Sequence, residues 1–282
     1  MGTSKSSTGP ASGVPLVPPW VPDPVPPQDP TTPLDEAKDA GDQDDKGTPP
    51  PTARPVELAE PRRFGAARMN LGSFASSGSS QEMRRGLGHY VSKGLGGSRA
   101  ATQRMGGTAR TAGALYGALS SAASGGGETS PGIDPTSLAG ASAEQVMDAL
   151  VEAVRPIDGT LDAEAGRDAV KTALSELLTE YPEADLLNLS EAQRMLAIEN
   201  FIALDVYNRF RLDLGQTIKD KAASTKTALA RLKEVKDYVK ETVSAQFRAL
   251  RKAGEQLSPN RISSMVRLAL QDTFDVFEGY AN

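Results

Sequence analysis

No cysteine occurs among the 282 residues. That excludes disulfides, thiolate metal sites and a cysteine nucleophile, and it agrees with a reducing, cytoplasmic setting. Histidine occurs once, at His89 in a glycine-rich stretch, where it reads as a packed or exposed side chain rather than a base. With no second histidine, a metal site would have to be built from carboxylates alone, so no metal and no cofactor is expected. No run of about 18 apolar residues exists, which excludes a membrane-spanning helix. The first residues lack the charged-then-apolar order of a secretory signal. Aromatic residues make up only 5% of the chain, too few to fill the cores of two large domains.

What the chain does contain is unevenly distributed. Fifteen of its twenty prolines precede Arg62. Residues 1–61 carry four basic and ten acidic groups, residues 62–127 nine basic and one acidic, and residues 128–282 eighteen basic and twenty-five acidic. The net charge of −5 is therefore the remainder of a basic middle between two acidic flanks, a statement about contacts rather than fold.

Residues 1–61 read as a disordered arm. VPPWVPDPVPPQDP favours extended polyproline II, and DEAKDAGDQDDKG adds charge repulsion and buries nothing. Trp20, the sole tryptophan, stands in this arm either as a solvated linker residue or as an anchor for a partner groove. Residues 62–127 are rich in Gly, Ser, Ala and Arg. They predict two weak helices, about Gln81–Lys93 and about Arg99–Ala122, the second interrupted near Gly106-Gly107, since each internal glycine costs about 1 kcal/mol.

Residues 128–282 predict an all-α bundle of about five helices. Ser142 and Ser190 each stand three residues before a glutamine and open capping boxes. Ser258-Pro259 supplies an N-cap and first-turn proline. Apolar stripes run through Val146–Val154, Ala169–Leu178, Leu196–Phe210, Leu229–Leu250 and Ile262–Phe277, the last including Leu268. Gly215 is expected to end or kink the third of these, and Gly254 to cap the fourth. No period-two segment bounded by hairpin turns predicts a strand.

Few residues point to chemistry. Asp158, Asp162 and Glu164 cluster around a turn, but acids favour the start of a helix, and the spacing is not that of a calcium loop. GLGHYVSKGLGGS is glycine-rich without the Gly-Lys-Ser/Thr ending of a phosphate loop. No catalytic residue is assigned. The basic residues Arg62, Arg63, Arg68, Arg84, Arg85, Lys93, Arg99, Arg104 and Arg110 form a candidate contact for phosphates or for an acidic partner.

The opening MGTSKS fits the myristoylation pattern, yet a single acyl chain needs a basic patch nearby and the arm that follows is acidic. A small second residue also permits loss of Met1. Gly2 would then offer an α-amine with a pKa near 7.7–8.0, partly nucleophilic at neutral pH and slim enough for a narrow active site.

The blocks MGTSKSSTGP with GVPLVPPW, RFGAARMNLGSFASSG, HYVSKGLGGSRAATQRMG and RPIDGTLDAEAGRDAV resemble the QatB family, accessory proteins of a four-component bacterial anti-phage defence system. The resemblance implies partners: a P-loop ATPase, a TatD-like nuclease and QatC, similar to the deazaguanine-synthesis enzyme QueC. Enzymes of that last type use ATP to activate a deazaguanine carboxylate for attack by an amine. On this resemblance the chain is expected to be a non-catalytic adaptor or substrate subunit. Gly2, Thr3, Ser4, Ser6, Gly9, Pro10 and Trp20 would be its partner-binding or modified residues. The alternative is a nucleic-acid-binding subunit that positions the nuclease through residues 62–110.

Overall fold

The computed structural model describes residues 15–17, 58–123, 137–251 and 256–281. Among them nine α-helices form and no strand: α1 Gly65–Ser77, α2 Ser80–His89, α3 Ser98–Arg104, α4 Gly106–Ala123, α5 Ala143–Val154, α6 Leu161–Glu180, α7 Glu191–Lys221, α8 Thr225–Ala249 and α9 Pro259–Glu278. The all-α expectation holds, and the described residues of 128–282 form the expected five helices.

The caps fall where hydroxyl-then-amide spacing places them. Ser142 and Ser190 close reciprocal capping boxes with Gln145 and Gln193, Thr160 accepts from the Ala163 amide at the head of α6, and Ser258 precedes Pro259 in α9. Each cap satisfies an amide that would otherwise lack an intrahelical acceptor.

α7 is the axis. Every residue from Ala197 to Asn208 is buried, so this part of the helix is enclosed by neighbours on all sides. α6, α8, α1 and α4 enclose it, and α9 closes the bundle against α4, α3 and α8. One core cluster runs from Phe64 to Phe277 and includes the helices of the basic middle.

Four local expectations are corrected. The segment 62–127 forms four helices, not two. α1 escapes periodicity because its buried face joins only two large side chains, Leu71 and Phe74, to the small Ala67 and Ala75, in a helix otherwise rich in Gly, Ser and Ala. Gly215 does not end a helix: α7 continues to Lys221, and the break comes at residues 222–224. Leu229 and Leu268 are 61% and 50% exposed, because the partners of α8 and α9 each cover a narrower face than the apolar stripe spans. Gly254 lies outside the described residues.

Candidate functional site

One residue of the proline-rich arm, Leu16, sits on the helical body. Leu16 is buried, and Pro15 forms an antiparallel bridge with Leu58. The seat begins at Gly96-Gly97, two consecutive glycines with positive φ (86° and 92°). A Cβ at Gly96 would stand 2.5 Å from Leu16 Cδ1, so the missing side chain is the space that the leucine fills. The turn delivers α3, whose first amide, that of Ser98, donates to Glu278 on α9 at 2.9 Å. At the far end of α3, Arg104 Nη1 donates to the Leu16 carbonyl at 2.8 Å.

The energies of this contact balance. Closing the loop of residues 16–57 costs about 3 kcal/mol at the logarithmic rate for flexible chains. Burying a leucine side chain returns about 2 kcal/mol, and a hydrogen bond from a charged donor about 1.5 kcal/mol or more.

Arg104, half-buried, stands near a partly buried charged group. Tyr90 stands in a π-helical turn, Tyr90–Gly94, that follows α2. Its ring stacks on Phe64 at 5.9 Å and meets Phe210 edge-on at 5.6 Å, and its hydroxyl donates to Asp213 Oδ2 at 2.9 Å. Burial, then the carboxylate, raise the Tyr90 pKa well above the ordinary phenol value. Burial also raises that of Asp213, against the Tyr90 hydrogen bond and the charges of Arg104 and Arg63. A carboxyl raised on folding binds its proton more tightly in the native state. Its cost is therefore absent below the ordinary carboxylate range and appears as pH rises toward the folded value. Arg63 is buried with Nε and Nη1 unpartnered, and burial, then Arg104, lowers its pKa.

A second polar line runs along α7. Asp205, 1% exposed, accepts from the Thr108 hydroxyl and lies 3.6 Å from Arg209 Nε. Arg209 reaches on to Asp162 at 2.8 Å. Burial alone would lower the Arg209 pKa, but Asp205 and Asp162 outweigh it and the net shift is upward. Asn208 donates to Asp168 at 3.1 Å, and buried Glu199 takes a bidentate contact from Arg248. These groups are paired across helices, α7 to α4, α6 and α8, and their evident work is register. Among the described residues no three carboxylates or imidazoles stand together as a metal centre. A cavity of about 470 Å³ beside Leu138–Ala143 and Ala184–Leu187 has Asp185 as its only ionisable lining residue.

The sequence-predicted cations separate into two sets. Arg63 lies over the Phe64 ring at 4.8 Å, and Arg84 covers Tyr238 and Tyr280 at 5.4 and 5.8 Å. Arg85 lies 3.7 Å from Glu82, Arg104 holds Leu16, and Arg68 is half-buried. Arg62, Lys93, Arg99 and Arg110 are exposed, and their side chains make no ion pair or hydrogen bond among the described residues. Gly2, Thr3, Ser4, Ser6, Gly9, Pro10 and Trp20 lie outside the described residues. Sequence reasoning missed Leu16 and Gly96, for a single leucine among prolines carries no periodicity. It also missed Asp205 and Asp213, although charges inside the most apolar helix were a visible signal.

A family model described as QatB, Qat anti-phage system associated protein, matches residues 96–277, more than half of the chain. No curated protein and no solved structure matches it.

Proposed function

The chain belongs to the QatB family of Qat anti-phage system associated proteins, and we propose that within that system it is a non-catalytic adaptor and substrate subunit. Its helical body docks on another component, and its N-terminal peptide enters the QueC-like partner QatC. Gly2, exposed by loss of Met1, supplies the α-amine. The amine attacks a carboxylate activated by ATP, an amide C–N bond forms, the activating nucleotide leaves, and the amine gives up a proton. The ATPase and the TatD-like nuclease are further candidate partners.

The observation that supports this division of labour is the internal pairing of the body. Asp205, Asp213 and Glu199 each accept from a side chain of the same chain, which suits a rigid carrier. No helix among the described residues is long and apolar enough to cross a membrane. Intact mass with N-terminal peptide mapping, after expression alone and with the QueC-like partner, tests the reading. The expected result is a partner-dependent mass increase confined to Gly2 and abolished by Gly2→Pro. Simple Met1 loss in both samples would refute it.

A second reading, contact with nucleic acid, is favoured by the four exposed cations Arg62, Lys93, Arg99 and Arg110. Neutralising all four should flatten the salt dependence of binding by roughly one logarithmic unit for each phosphate that is no longer neutralised. Binding whose salt slope is unchanged would remove this reading.

A further inference from the structure

We infer that the groove between Gly96 and Arg104 is an intramolecular peptide-binding site that pins the arm at Leu16 and so fixes the point from which the N-terminal peptide starts. Its ligand is a short segment centred on Leu16, recognised in two ways. A leucine side chain fills the space left by the absent Cβ of Gly96. The carbonyl of the same residue accepts from Arg104. The bridge from Pro15 to Leu58 adds main-chain pairing and joins the two ends of the loop 16–57.

This changes the reach of the peptide. Gly2 stands fourteen residues before Leu16, so an extended chain carries it at most about 48 Å from the seat. Measured from Leu58, the next described residue, fifty-six residues would allow about 190 Å. A partner that takes Gly2 must then dock near this face, which Lys93 and Arg99 border as exposed cations, and the complementary partner surface is acidic. That last consequence rests on the proposed function; the pin itself does not.

The absence of cysteine makes the pin directly measurable. Residues opposite each other in an antiparallel bridge have Cα atoms about 4.5–5.5 Å apart, within the span of a disulfide. In the full chain, Pro15→Cys with Leu58→Cys should oxidise rapidly to an intramolecular disulfide, seen as a faster-migrating monomer on a non-reducing gel. Leu16→Asp in the same background should slow that oxidation at least tenfold, while the far-UV circular dichroism melt stays unchanged because the bundle is untouched. Arg104→Gln should slow it in the same direction. Equal rates with and without Leu16→Asp, or equal rates in 6 M urea, would overturn the pin, since a flexible loop alone would then account for the encounter. Disulfide-linked dimers in place of the monomer would also overturn it, by assigning the groove to a second copy. The experiment involves no partner and no modification, so its failure and that of the Gly2 reading are separable.

Discussion

Gly113→Val is expected to lower the melting temperature by on the order of 10 °C or more. α4 reads GGTARTAGALYGALSSAA and packs its small residues directly on α9. A Cβ at Gly113 would stand 2.6 Å from the Pro259 carbonyl oxygen and closer still to Ser263 Oγ. Ser263 can rotate away; the Pro259 carbonyl cannot, because it is main chain in the first turn of α9. The helices must therefore separate along an interface that also buries Leu115, Leu119, Ile262 and Val266. Alanine gains about 1 kcal/mol over glycine in a helix interior, but overpacking typically costs about 1–3 kcal/mol, so Gly113→Ala is expected to destabilise by at most about 2 kcal/mol. Valine adds two methyl groups and a stiff χ1 and should cost about 4 kcal/mol, a loss large for any single substitution. At about 2–4 °C per kcal/mol for a domain of this size, circular dichroism melts resolve both. The control is Gly65→Ala, where the new methyl meets nothing within 4 Å and stability should rise by about 0.5 kcal/mol. A Gly113→Val melt within about 2 °C of wild type would mean that α4 and α9 do not approach as described.

The same small residues explain what the sequence disclosed and what it hid. The helices from Ala143 to Glu278 announce themselves by Ser-x-x-Gln boxes, by Ser-Pro, and by large aliphatic residues at helical spacing. The helices from Gly65 to Ala123 bury mostly alanine and glycine, whose burial contributes little periodic contrast, so α1 left almost no trace. Basic residues misled in a different way. Arg63, Arg84 and Arg104 look like surface charge in a flexible segment, yet each guanidinium covers a ring or holds a carbonyl of its own chain. A long side chain with a planar, weakly hydrated head can do either, and composition does not distinguish the cases. Gly215 misled because a helix interior tolerates glycine when its neighbours supply packing, and Ile218 beyond it is fully buried. The seat of Leu16 depends on residues 80 or more positions apart, a relation that no local pattern encodes.

Arg209→Met should destabilise the bundle by about 3–5 kcal/mol, and adding Asp205→Asn should recover most of that loss. Arg209 is the cation paired with Asp205 among the described residues, at 3.6 Å, and the carboxylate side chain is 2% exposed. Deleting one member of a buried pair leaves an uncompensated charge, which costs far more than the pair itself was worth. Methionine fills much the same volume, so the loss reads charge and not a cavity. In the double variant, the amide oxygen introduced by Asp205→Asn still accepts from the Thr108 hydroxyl, the buried carboxylate is gone, and Asp162 stays solvated at 61% exposure. The two substitutions must then be strongly non-additive, with a coupling energy of about 2–3 kcal/mol in a double-mutant cycle. Urea unfolding of the four proteins, with equal slopes, measures it. Additive losses would mean that Asp205 is held by Thr108 alone and that Arg209 serves only to tie α7 to the start of α6.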